Sequence, residues 1–305
     1  LRKDIVLNNA LVNLYAKCGM LEKAQQVLER ILIRNVVTWA SLIAGYAQQG
    51  QCDEALSCFN RMQNEGISPD AIVFTCIVKA CGKSRDIKKG KQIHDDIINR
   101  GLLENDIMLG NALVDMYAKC GMFAKARRVL EELRVRNVVT WNALIAGYVQ
   151  HGQGHEALNC FEQMQSEGLF PDIVTFISIL KACGSARALQ KGRQCHEIML
   201  TCNLLEKDII LQNALIDMYV KCGLLTKALE IFNEIPTRSI VSWSTLIAGY
   251  TQLGECREAL NYFEQMLSEG FCPDVITFIF MLRTCGNMMA IGKGKKIHAS
   301  IVSSG

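Results

Sequence analysis

Tyr15–Gly19 reads YAKCG, Tyr117–Gly121 reads YAKCG again, and Tyr219–Gly223 reads YVKCG. The step is 102 residues each time; Trp39, Trp141 and Trp243 keep it, as do His94, His196 and His298. Three tandem copies of a long unit therefore fill the 305 residues. An array of this kind buries apolar surface between neighbouring units and presents its working surface as a row of equivalent positions.

Each copy subdivides into helical hairpins. Ile107, Ala112, Leu113, Met116 and Tyr117 recur at helical spacing and end at Gly121, the pattern of an amphipathic helix with its C-terminal cap. A second helix carries Ala126, Val129, Leu130 and Leu133 on one face. The next hairpin runs through Trp141, Leu144, Ile145 and Tyr148, breaks at Gly152, and resumes through Ala157, Leu158, Phe161 and Met164 to Gly168. The third is expected to break at Cys183-Gly184 and resume from Leu189 to Met199. These hairpins span 31, 35 and 36 residues. No useful stretch alternates with period two, and Pro69, Pro171 and Pro273 share one turn position, with Pro236 near another hairpin end. The fold class is all-α, an α-solenoid. Gly45, Gly147 and Gly249 sit inside first helices, where glycine costs about 1 kcal/mol relative to alanine, so close approach between hairpins is expected there.

A net charge of +3 permits nucleic acid without demanding it. None of the fourteen cysteines forms a Cys-x-x-Cys pair, which removes the zinc-finger spacing. Unpaired thiols in such number read as small buried apolar residues of a protein in a reducing compartment. No apolar run approaches the roughly 18 residues of a membrane span, and no signal or transit peptide is visible. The chain opens and closes partway through a repeat, so it is expected to be an excerpt whose localisation signal lies outside it.

Val138–Asp172, VVTWNALIAGYVQHGQGHEALNCFEQMQSEGLFPD, resembles the pentatricopeptide repeat. Its alternation with a shorter NALVDMYAKCG unit and with a longer unit carrying KACG and KGRQCH resembles the P, S and L hairpins of the plant PLS class. The resemblance covers essentially the whole chain. It implies a single array of hairpins 5–35, 107–137 and 209–239 (S), 36–70, 138–172 and 240–274 (P), 71–106 and 173–208 (L), and a partial L hairpin 275–305. It also implies a right-handed superhelix that binds single-stranded RNA, one base per repeat. Most members of that class specify C-to-U editing sites in chloroplast or mitochondrial transcripts. Editing-factor proteins, or a deaminase acting in trans, are the implied protein partners. No cofactor and no metal are implied.

In the family, the fifth and last residues of a hairpin face the base and the second residue wedges between bases. The S pairs implied are Asn9 with Asn35, Asn111 with Asn137, and Asn213 with Ser239. The P pairs are Ala40 with Asp70, Asn142 with Asp172, and Ser244 with Asp274. The L pairs are Thr75 with Asp106 and Ile177 with Asp208, while Ile279 has no last residue in the chain. The wedge residues implied are Val6, Val37, Ile72, Met108, Val139, Val174, Ile210, Val241 and Ile276, all apolar. On sequence alone such a column also reads as a core column. Elementary chemistry agrees with the pairs: uracil and guanine offer a ring N–H that a carboxylate accepts, whereas cytosine and adenine offer a bare ring nitrogen that needs a donor. The family code gives, from Asn9 onward, C, unassigned, G, C, U, unassigned, C, G.

Several of these residues also have plain structural readings. Asp70, Asp172 and Asp274 precede helices, where aspartate is a favoured N-cap. Asparagine is a mediocre helix former, and Asn9, Asn111 and Asn213 could bond a neighbouring hairpin. The repeated histidines stand far from other ligands and read as structural. Lys88-Lys89-Gly90-Lys91, Lys191-Gly192-Arg193 and Lys293-Gly294-Lys295-Lys296 read equally as phosphate contacts or as solvated helix starts. A tetratricopeptide-like protein scaffold is the alternative function, but a peptide groove needs no repeating polar pair. An enzyme is not expected: a cytidine deaminase needs His-x-Glu and Cys-x-x-Cys, and neither pattern occurs.

Overall fold

The computed structural model describes residues 4–103, 106–205 and 208–304, so the expected hairpin spans 71–106, 173–208 and 275–305 each run over residues outside this description. Among the described residues every regular element is a helix. The chain divides into two compact units, with the boundary in sequence between His151 and Gly152. The first holds α1 (Ile5–Lys17), α2 (Leu21–Arg30), α3 (Val36–Gln48), α4 (Cys52–Asn64), α5 (Ala71–Ser84), α6 (Ile87–Asn99), α7 (Ile107–Lys119), α8 (Phe123–Glu132) and α9 (Val138–Gln150). The second holds α10 (Gly154–Ser166), α11 (Ile173–Ala186), α12 (Leu189–Thr201), α13 (Ile209–Lys221), α14 (Leu225–Glu234), α15 (Ile240–Gln252), α16 (Cys256–Ser268), α17 (Val275–Asn287) and α18 (Ile291–Ser304).

Within the first unit α1, α3, α5, α7 and α9 pack in series, each against the next, with α2, α4, α6 and α8 folded back beside them. Within the second unit α11, α13, α15 and α17 do the same, backed by α12, α14, α16 and α18. This α-solenoid arrangement explains the two helix compositions. A first helix is pressed between neighbours and backed by a second helix, so α7 buries Leu109 through Val114 and Met116 through Ala118. A second helix faces solvent on one side, so α8 buries only Ala126, Val129 and Leu130. Trp39, Phe59, Phe74 and Tyr117 fill the core of the first unit, and Phe161, Phe176, Phe232 and Trp243 that of the second.

Successive first helices approach closely where the side chain is absent. A β-carbon built on Gly147 would lie 2.5 Å from Ala118 Cβ, and one on Gly249 would lie 2.5 Å from Val220 Cγ1. The break expected at Cys183-Gly184 is corrected by the same physics. Helix α11 continues to Ala186 and closes on Arg187, which takes φ 52°. A β-carbon on Gly184 would stand 3.0 Å from Lys221 Cδ and 3.5 Å from Met218 Cα, so this glycine admits α13 rather than ending α11. Gly121 is a genuine stop: its φ of 71° is the left-handed conformation that favours glycine.

The recurring histidine and the tyrosine of YAKCG are each other's partners. His94 Nδ1 lies 2.9 Å from Tyr117 Oη, and His196 Nδ1 lies 3.0 Å from Tyr219 Oη, each contact tying a second helix to the next first helix. The basic clusters also serve packing: Lys191 Nζ donates to Glu162 at 2.9 Å, Lys293 Nζ to Glu264 at 3.0 Å, and Lys89 Nζ to Asn60 at 3.3 Å. The cysteine reading needs one correction. Cys52, Cys58, Cys81, Cys160, Cys183, Cys195 and Cys285 are buried, but Cys18, Cys202 and Cys272 are exposed. Burial pushes the Cys81 and Cys183 thiols up to about 12, which keeps them protonated and inert. No described helix is long and apolar enough to cross a membrane, and no described group of three or more His, Cys, Asp or Glu could hold a metal.

Two outcomes follow from this packing. Gly147→Ala should lower the melting temperature in a circular-dichroism scan, since overpacking costs about 1–3 kcal/mol against the ~1 kcal/mol alanine gains in a helix. Gly286→Ala, where nothing lies within 4 Å of the added carbon, should raise it. Burial also lowers the pKa of His94 and His196. The unfolded chain binds protons near the ordinary imidazole value of about 6.5 while the folded chain resists them, so stability is full above that value and falls as the pH drops through it. The double variant His94→Gln/His196→Gln should flatten that slope in a series of melts.

Candidate nucleic-acid interface

The first turn of each first helix sorts its side chains by direction. From α3 onward the third helical residue points inward: Thr38, Val73 and Thr140 in the first unit and Thr175, Ser242 and Thr277 in the second are fully buried, whereas Leu7 of the terminal α1 is exposed. The second helical residue points out. Val6, Val37, Ile72, Met108 and Val139 in the first unit, and Val174, Ile210, Val241 and Ile276 in the second, are all exposed, from 50% at Val37 to 79% at Val6. The column is therefore not a core column. Packing of the chain on itself gives no reason for nine exposed apolar side chains at one repeat position.

The residue preceding each first helix caps it. Asn35 Oδ1 accepts from Thr38 N–H at 3.0 Å, Asp70 Oδ1 from Val73 N–H at 2.9 Å, Asp106 Oδ1 from Leu109 N–H at 3.0 Å and Asn137 Oδ1 from Thr140 N–H at 3.0 Å. In the second unit Asp172 and Asp274 accept at 2.8 Å from Thr175 and Thr277, Asp208 from Ile210 and Leu211, and Ser239 Oγ at 3.2 Å from Ser242. Each Asn or Asp cap uses the same atom, Oδ1, for its helix. The other terminal atom is an NH2 in Asn35 and Asn137 and a carboxylate oxygen in Asp70, Asp106 and Asp274. Capping thus leaves the second terminal atom of each of these side chains out of the cap.

The fifth residues lie one turn further in. Asn111, Asn142, Asn213 and Ser244 are buried, whereas Asn9, Ala40, Thr75 and Ile177 are half-buried. The S pairs are brought together. Thr38 Oγ1 lies 2.6 Å from Asn9 Oδ1 and 2.8 Å from Asn35 Oδ1, so one hydroxyl joins both members. Thr140 repeats this at 2.5 Å from Asn111 Oδ1 and 3.0 Å from Asn137 Oδ1. Asn213 Nδ2 reaches Ser239 Oγ directly at 3.5 Å. The other pairs within a unit are not joined by hydrogen bonds: Thr75 Oγ1 donates back to Ala71 O at 2.8 Å and Ser244 Oγ to Val241 O at 3.1 Å. Ala40 and Ile177 have no polar atom to offer. Asn142 and Asp172 belong to different units. Ile279 is exposed on α17.

Sequence reasoning missed Thr38 and Thr140. Their signal was present as Asn-x-x-Thr, a capping-box pattern at Asn35 and Asn137 in which the threonine side chain also accepts from the cap's own N–H.

Comparison with known proteins gives consistent results. A profile described as PPR repeat family matches residues 34–103, 136–185 and 238–287, and one described as PPR repeat matches 9–36, 111–138 and 213–240. The chain is 37% identical over its full length to the mitochondrial pentatricopeptide repeat-containing protein At3g09040 of Arabidopsis thaliana, covering 29% of that protein. It is 36% identical over 97% of its length to the chloroplastic At4g18520 of Arabidopsis thaliana, covering 48% of it. The chain thus spans less than half the length of these curated relatives. Among solved structures, the pentatricopeptide repeat protein PPR10 in complex with an 18-nt psaJ RNA element superposes with a TM-score of 0.78 at 18% identity, over 96% of this chain and 44% of that one.

The capping role of Asp70 is testable without any ligand. Asp70→Asn keeps a capping oxygen and should melt close to the parent. Asp70→Ala removes it and should lose about 1 kcal/mol in a denaturant titration.

Proposed function

The chain belongs to the pentatricopeptide repeat family, and from that premise we propose that it binds single-stranded RNA with one base per hairpin. The observation that carries this reading is the exposed apolar column at Val6, Val37, Ile72, Met108, Val139, Val174, Ile210, Val241 and Ile276. Bases have apolar faces, and side chains between them gain dispersion contact without regard to sequence. Beside this column stand atoms that can read a base edge. Asn35 and Asn137 keep an NH2 beyond the cap, which suits the bare ring nitrogen of cytosine. Asp70, Asp106 and Asp274 keep a carboxylate oxygen, which suits the ring N–H of uracil or guanine.

The S, P and L alternation supports placement in the PLS class and a role in specifying C-to-U editing sites. The chain would supply the address, and the deamination would come from another domain or from a partner deaminase. The mitochondrial and chloroplastic relatives support an organellar setting. Editing-factor proteins fit as additional partners.

A gel-shift titration at fixed moderate salt tests the reading, using RNA in the order C-N-G-C-U-N-C-G with a C-to-G and U-to-A scramble and the matching DNA as controls. The predicted RNA should bind best. Equal binding to all three would leave only electrostatic attraction, and no binding would favour a protein scaffold. Asn137→Asp replaces an outward donor by an acceptor. It should convert the preference opposite Asn111 from C to U by about tenfold.

A further inference from the structure

Asn9 and Asn111 each carry an amide that can present either its oxygen or its NH2, and the two faces recognise opposite base edges. We propose that the buried hydroxyls of Thr38 and Thr140 are specificity-determining positioning groups that lock these amides with the oxygen inward and the NH2 outward. The inference rests on the RNA reading above and adds the residue that decides which face each asparagine shows.

Proton counting supports the arrangement. The Thr38 hydroxyl has one proton and accepts from the Asn35 N–H at 3.3 Å. Asn35 Oδ1 already accepts from the Thr38 N–H at 3.0 Å, and the shorter hydroxyl contact is to Asn9 Oδ1, 2.6 Å against 2.8 Å. At Thr140 the preference is larger, 2.5 Å to Asn111 Oδ1 against 3.0 Å to Asn137 Oδ1. Thr140 is fully buried and Asn111 nearly so, which makes an unpaired amide oxygen there costly. Both atoms of the cap and both atoms of the fifth residue are then assigned. The oxygens face the protein, and two NH2 groups face the base, a set matched to the acceptors of cytosine.

The third copy supplies the contrast. Its third helical residue is Ser242, whose hydroxyl lies 3.0 Å from Ser239 Oγ and makes no hydrogen bond to Asn213. There the amide is inverted: Asn213 Nδ2 turns to Ser239, and the buried Oδ1 has no hydrogen-bond partner. The three S hairpins share the same fifth residue, yet the first two should discriminate cytosine more sharply than the third. The P-to-L and L-to-S junctions lack the device wherever the third helical residue is Val73, Leu109 or Leu211, none of which carries a hydroxyl.

The test combines base discrimination with a readout that needs no RNA. Thr140→Val keeps the shape and removes the hydroxyl. It should reduce the preference for C opposite Asn111 by about fivefold while leaving the preference for G opposite Ser244 and Asp274 unchanged. That second preference reports an intact fold. In the free protein, the Asn111 side-chain amide should lose order by 15N relaxation in Thr140→Val but not in Thr140→Ser. Conversely, Ser239→Asn, which removes the Ser239 hydroxyl that now engages the Ser242 hydroxyl, should raise the preference for C opposite Asn213 toward that opposite Asn111. A Thr140→Val protein that keeps both its C preference and an ordered Asn111 amide would overturn the inference while leaving the RNA reading standing. A parent protein that distinguishes no bases, with the amide ordered by Thr140, would overturn the RNA reading and with it the specificity role of the lock.

Discussion

The close approach of one first helix to the next is the constraint on which the rest depends. Gly147 against Ala118 and Gly249 against Val220 leave no room for a side chain between backbones. Gly82 against Met116 Cα and Gly184 against Met218 Cα extend the same device to the longer hairpins. This contact fixes the phase of α3, α5, α9, α11 and α15 about their own axes. The glycine faces the preceding first helix in α3, α9 and α15 and the following one in α5 and α11, and with that face committed the third helical residue points inward and the second outward. At Val37, Ile72, Val139, Val174 and Val241 the exposure of the column thus follows from glycines a turn or more further along the same helices.

The first turn then carries two tasks on the same atoms' neighbours. A helix start leaves unsatisfied N–H groups, and Asn, Asp and Ser at the preceding position supply one oxygen to them. Branching at the side-chain end gives Asn and Asp a second atom, which the cap does not need. Serine lacks that branch, so Ser239 must share its single oxygen among Ser242 N–H, the Ser242 hydroxyl and the Asn213 amide. The third S hairpin is accordingly the one in which the fifth-residue amide turns over and its oxygen loses its partner. Where the cap is Ser239, α15 is still capped, and the amide 26 positions earlier, Asn213, turns its NH2 to the cap.

Much of the fold was legible in the sequence, because period, helix spacing and caps are local properties. The repeat of YAKCG, the AGY glycines and the turn prolines sufficed for an all-α array. What failed was the meaning of particular residues whose role is set across hairpins. Gly184 looked like a helix stop because glycine serves both caps and close contacts, and only the position of Met218 separates the two. His94 and Tyr117 stood out as repeated residues, but their mutual contact crosses from a second helix to the next first helix and leaves no spacing rule to read. The wedge column was ambiguous for a related reason: apolar residues two and three places into a helix look alike until the helix phase is known. Thr38 was passed over because its capping role is common, whereas its second contact, to Asn9, is not encoded locally.

On the proposed reading, the site also separates affinity from selectivity. Every one of the nine wedge positions is apolar and exposed, including those beside Ala40, Ile177 and Ile279, which have no polar atom for a base. On the proposed reading, a hairpin can therefore hold a base without reading it, and stacking continues through positions that carry no information. The polar pairs are more variable: two copies are joined through a threonine, one is joined directly, and the others within a unit stand apart. Loss of a reading pair would relax one letter of the address and leave the strand bound. Loss of a wedge would weaken two adjacent stacks whatever their bases. Drift in the polar positions is thus tolerable one hairpin at a time, while the apolar column contributes at every step, and the composition of this chain has that asymmetry.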